Sequence, residues 1–88
     1  MSEADRLAVR RIAANVGHQC TMEANSQTVR STATFTVGSD GHQAGGIRFS
    51  PPVPEAMIQC FAMFSLNAEF EPGRIRTVRV PFRVEPPL

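Results

Sequence analysis

The stretch "TVRSTATFTVGSDGHQAGGIRF", residues 28–49, decides the fold. From Thr28 to Val37 the side chains alternate. Val29, Ala33, Phe35 and Val37 face one way; Thr28, Arg30, Thr32, Thr34 and Thr36 face the other. A period of two in β-branched and aromatic residues is the signature of a half-buried strand. Gly38-Ser39-Asp40-Gly41 then turns the chain and closes a hairpin. The returning strand is weaker. Ala44, Gly45 and Gly46 precede Ile47-Arg48-Phe49, and the double glycine predicts a bulge or a loose start.

Upstream, Ser2 to about Val16 reads as a helix. Ser2 and Asp5 suit a capping box. Val9, Ile12, Ala13 and Val16 repeat at helical spacing and form one buried stripe. Gly17 either stops this helix or is tolerated, at about 1 kcal/mol, in one running through Cys20 toward Ala24. Downstream, Pro54 and Glu55 suit a helix start, and the helix should run to about Leu66. Its inner stripe is Met57, Cys60, Phe61 and Phe64. Ile58, Ala62 and Leu66 widen it, so this helix is expected to be well buried. The last strand is "TVRVPFRV", Thr77–Val84, with Val78, Val80, Phe82 and Val84 inward and Thr77, Arg79, Pro81 and Arg83 outward. Ile75 is out of phase, which predicts an irregular beginning.

The order is α-β-β-α-β, an α+β fold in one domain. The hairpin makes the first two strands antiparallel, and the second helix reverses the chain. A right-handed crossover then sets the third strand beside the first. The expected sheet is three-stranded and antiparallel in the order 2-1-3, with both helices on one face. The third strand is an edge.

An 88-residue chain with 42% apolar residues can build one modest core. A net charge of +1 argues against a generic polyanion binder. All nine basic residues are arginine. Arg74, Arg76, Arg79 and Arg83 cluster in a segment without an acid. The longest apolar run, Ile58–Leu66, is interrupted by Gln59 and Ser65 and is too short to cross a bilayer.

Catalytic chemistry finds little footing. His18, Cys20, His42 and Cys60 lack C-x-x-C or H-x-x-x-H spacing, so no metal site is expected. The two cysteines alone are compatible with a disulfide, buried thiols or part of a metal site. No oxyanion hole or orienting third group accompanies a cysteine–histidine pair. The acids are scattered, and no phosphate-cradling motif or cofactor signature appears. RNA platforms stack bases on exposed aromatics. Here Phe35, Phe49 and Phe82 are on the core phase and Phe61 and Phe64 on a buried stripe. Phe70 is the only loose ring, so nucleic acid is not the expected partner.

The run "TATFTVGSDGHQ" resembles the strand–DG–strand signature of TonB-type C-terminal domains. The ending "FEPGRIRTVRVPFRV" is similar to that family's aromatic-F-x-P turn followed by V-x-V-P-F. A cysteine late in the first helical region and another in the helix before the last strand, here Cys20 and Cys60, resemble the AgmX/GltJ-type TonB-like domain of bacterial gliding-motility and related envelope proteins. The resemblance runs from about Val9 to Val84. It implies a periplasmic, non-enzymatic module, the gripping end of a longer protein anchored in the inner membrane. Such a module binds an outer-membrane protein and transmits work from an inner-membrane motor.

Two expectations follow. The cysteines sit on helices that should lie side by side, and an oxidising periplasm would allow a Cys20–Cys60 disulfide. The partner-binding edge is the last strand, with Arg76, Thr77, Arg79, Pro81 and Arg83 as its residues. Proline fits a strand only where its missing N–H faces away from the neighbour. Pro81 therefore turns the backbone groups of the odd residues outward, toward an incoming peptide. Charge and proline also blunt edges against aggregation, and the same edge could pair two copies as a homodimer.

Overall fold

The computed structural model describes residues 1–87. The chain forms α1 (Glu3–Gln19), a short 3-10 turn (Met22–Ala24), β1 (Val29–Val37), β2 (Gln43–Ser50), α2 (Glu55–Asn67) and β3 (Arg76–Val84). The sheet is antiparallel throughout, in the order β2-β1-β3. The α-β-β-α-β order and sheet topology are those expected from the sequence.

Helix α1 begins where Ser2 Oγ accepts the Asp5 N–H at 3.1 Å. It runs through Gly17 and ends at Cys20, whose N–H donates to the Val16 carbonyl. Its core stripe is Asp5, Ala8, Ile12 and Val16. The inward residues of β1 and β3 meet this stripe and Met57 and Phe61 of α2. Phe49, Phe61 and Phe82 pack as a ring cluster with centroids 5.1–6.0 Å apart. The bulge falls in β2: Thr34 pairs with Arg48 and Thr36 with Ala44, leaving residues 45–47 opposite Phe35.

Phe70 is not loose. It is buried in the core and meets Phe35 edge-on at 6.0 Å. Its N–H donates to the Gly41 carbonyl at 2.8 Å, tying the loop before β3 to the hairpin. Gly41 has φ +84°, and a Cβ there would lie 2.3 Å from the Phe70 carbonyl oxygen, so this position requires glycine. Ile75 stands outside β3 and is exposed.

The second correction concerns α2. Ile58, Met63 and Leu66 are 39%, 64% and 56% exposed, so only the inner side of this helix is buried. Three strands span roughly 14 Å. Two helices side by side need about 20 Å. The outer flank of α2 therefore overhangs the sheet.

Cys20 and Cys60 are joined in a disulfide that ties the end of α1 to α2, with their Cα atoms 6.0 Å apart. No helix among the described residues is long and apolar enough to cross a membrane.

Candidate functional site

Strand β3 has β1 on one side and, among the described residues, no strand on the other. Along it, Val78, Val80, Phe82 and Val84 are buried while Thr77, Arg79, Pro81 and Arg83 are exposed. Pro81 stands opposite Thr32. It has no N–H to give, so its position is tolerated only if that side faces away from β1. Antiparallel strands alternate their backbone direction residue by residue. The N–H and C=O groups of Thr77 and Arg79 consequently point to the free edge, and those of Val78, Val80 and Phe82 to β1. By the same alternation Thr32, Thr34 and Thr36, opposite Pro81, Arg79 and Thr77, turn their backbone groups toward β2.

The two ends of this edge are already engaged. At the start, Arg76 directs its guanidinium into the fold. Nε reaches Asp5 Oδ2 and Nη2 reaches Asp5 Oδ1, both at 2.8 Å. Nη2 also donates to the Glu71 carbonyl at 2.6 Å, and Nη1 to that of Arg74 at 2.7 Å. Asp5, only 4% exposed, further accepts the Glu71 N–H at 3.0 Å. Arg76 and then the Glu71 N–H hold the Asp5 carboxyl below its ordinary range, against the opposing effect of burial. Arg76, expected on the binding edge, is thus a clamp between α1, the preceding loop and β3.

At the other end, Arg83 Nε donates to Glu85 Oε1 at 2.6 Å. Its carbonyl faces α1 at Gly17, where a Cβ would come within 3.2 Å of the oxygen. The helix thereby shields Arg83's outward acceptor. The open part of the edge is Thr77 to Pro81.

A ledge runs beside it. Leu7, Arg11 and Asn15 line the groove between α1 and α2. Val9, Ala13 and Gly17, half-buried at i, i+4 and i+8, lie on the opposite flank. Gly17's approach to Arg83 identifies that flank as the one next to the β3 edge.

The disulfide gathers one cluster with metal-ligand chemistry. The ligand atoms of Cys20, Cys60 and Glu23 lie within 4.8 Å of one another. The disulfide occupies both sulfurs, which leaves one carboxylate. His18 and His42 are exposed at element ends and are not among these ligand atoms.

Sequence reading placed Asp5 at the helix cap, where Ser2 Oγ does accept its N–H, but missed the pairing of its buried carboxylate with Arg76. The signal was present: positions 5, 8, 12 and 16 form one helical face, and an acid on a buried face needs a cationic partner.

No protein family, curated protein or solved structure matches this chain.

Proposed function

We propose that this domain is a non-enzymatic docking module that accepts an extended peptide as a fourth strand on β3. The observation that carries this reading is the free edge at Thr77–Pro81, where outward backbone groups meet neither strand nor helix among the described residues. A peptide added there gains main-chain hydrogen bonds for affinity and alternate side-chain contacts for specificity. Its side chains on the open sheet face stand beside Arg79, which makes no ion pair within 4.0 Å among the described residues and favours an acid. Those on the other face rest on the small ledge of Val9, Ala13 and Gly17.

Self-pairing through the same edge is the competing use. In an isologous antiparallel pair centred on Arg79, that residue faces its own copy. Centred on Pro81, Arg79 faces the partner copy's Arg83. Both registers oppose like charges, which is unfavourable, whereas registers centred on Val78 or Val80 set Arg79 opposite Thr77 or Pro81 and bring no acid to it. An acidic peptide is the better complement.

The resemblance to TonB-like domains supports placing the module in the periplasm. There it would grip an outer-membrane protein and pass on work from an inner-membrane motor. The Cys20–Cys60 disulfide fits an oxidising compartment.

The test compares wild type, Thr77→Pro and Arg79→Glu as baits for outer-membrane proteins, with hydrogen exchange on the captured complex. Thr77→Pro removes an outward donor without touching β1. Both variants should stay folded and lose binding, binding should weaken with salt, and the Thr77 and Arg79 amides should become protected. If both variants bind like wild type, the edge is not the site.

A further inference from the structure

The face of the sheet turned away from the helices carries an arrangement that neither the core nor the β3 edge explains. It presents four exposed arginines, one from β1 (Arg30), one from β2 (Arg48) and two from β3 (Arg79 and Arg83). Threonines of β1 fill the rows between them. The register sets Arg30 directly opposite Arg83 and puts Arg48 and Arg79 on either side of Thr34, about 10 Å apart across two strand spacings.

Folding accounts for only part of this, through Glu85, which pairs with Arg83 and also feels the charge of Arg30. Like charges directly opposite on neighbouring strands are destabilising. Only Arg83 of the four has an ion pair among the described residues, with Glu85. Beside the opposed arginines lies a shallow hollow of about 570 Å³, whose lining includes Arg30, Thr32, Ser50, Pro51, Pro81 and Arg83, with the buried Ser31 and Phe82 at its floor.

The lining narrows the ligand. Guanidinium forks match carboxylate, phosphate or sulfate. Thr32 and Ser50 offer hydroxyls that both donate and accept, suited to sugar hydroxyls. The rings of Pro51 and Pro81 offer apolar surface to a pyranose face. Phe35 and Phe49 face the helix side, and Phe82, which borders the hollow, is only 7% exposed, so no exposed ring offers the stacking platform of single-stranded nucleic-acid binders. Of the large exposed apolar residues, Leu7, Ile58, Met63 and Leu66 are on the helices and Met1, Met22 and Ile75 lie outside the strands, so the strands themselves expose no large apolar side chain as an anchor for a lipid interior.

We propose that the open sheet face binds an acidic glycan, an extended sugar chain bearing carboxylate, phosphate or sulfate groups. One anionic group sits in the hollow beside Arg30 and Arg83, and further groups lie over Arg48 and Arg79. The surface adjoins the backbone edge of β3 and shares Arg79 with it, but the proposal does not rest on peptide docking there, and the Arg30 and Arg48 variant leaves that edge intact.

The experiment titrates the folded protein with a heparin-derived oligosaccharide, an oligogalacturonate and a neutral dextran oligosaccharide, at low and high salt. Two double variants remove equal charge. Arg30→Gln with Arg48→Gln strips the face without altering β3, and Arg10→Gln with Arg11→Gln strips the outside of α1. The expected result is saturable, salt-sensitive binding of an acidic glycan and none of dextran. The face variant should lose about tenfold or more, the scale of a lost charge-assisted contact. The α1 variant should stay within about twofold. Binding of neither acidic glycan, dextran bound as well as the acidic chains, or equal losses in the two variants would each overturn the proposal. So would tighter binding of single-stranded RNA or of phosphatidylglycerol vesicles.

Discussion

Reducing the Cys20–Cys60 bond opens a loop spanning 40 residues of sequence separation, which contains all of β1 and β2. The loop-closure relation gives about 4 kcal/mol at 25 °C for a loop of that size. Native contacts change little, because only the two sulfurs must move apart to van der Waals distance and Cys60, partly exposed, can give way while Cys20 stays buried. The effect therefore acts through the unfolded chain, which the bond keeps compact. A domain of this length unfolds with an entropy of about 0.18 kcal/mol/K. The reduced protein should accordingly melt about 20 °C lower than the oxidised one. Total stabilities of small domains are about 5–15 kcal/mol, so the reduced form should still fold, marginally. Calorimetry with and without a thiol reductant measures the shift, and a Cys20→Ala, Cys60→Ala variant should reproduce it without reductant. Intact mass, with loss of one hydrogen per thiol, confirms the bond in the starting sample. A difference below about 5 °C in both comparisons would refute the reasoning, because it would mean that the bond barely constrains the unfolded ensemble.

Asp5→Asn should destabilise the domain by about 1–3 kcal/mol at neutral pH, since Arg76 loses a bidentate charged acceptor. The native Asp5 carboxyl is held below its ordinary range, so its contribution is complete above the unfolded value near pH 4 and fades as pH falls toward the native one. The difference in urea midpoint between wild type and variant should be constant from neutral pH down to about 4 and shrink below it; a flat difference down to strong acid would contradict this. Gly41→Ala should cost at least about 1–2 kcal/mol from the left-handed backbone alone, and more from the Phe70 carbonyl, read by thermal melting; an unchanged melting temperature would show that the loop moves aside freely. Val80→Asp should leave no cooperative unfolding transition, because it buries an unpaired charge at a fully inaccessible position of β3. A folded variant, seen by circular dichroism, would mean that the strand can shift its register.

The strands, their inward faces and their order were legible in the sequence because each depends on something local. Alternation in Thr28–Val37 and Thr77–Val84 follows from the two-residue period of a strand. The order β2-β1-β3 follows from chain direction and the handedness of the crossover. The edge was legible too, since Pro81 reports which way its own backbone turns. What the sequence left open depended on residues far apart in the chain. Gly17 stays helical and sits beside Arg83, an approach that no local propensity encodes. Asp5 and Arg76, 71 residues apart, are joined only because α1 lies along β3, which turns an expected binding residue into an internal clamp. Phe70 is buried because the hairpin turn holds its backbone through Gly41. The exposed flank of α2 is a matter of width: helical spacing marks which residues are apolar, but only the breadth of a three-stranded sheet decides how many of them find cover.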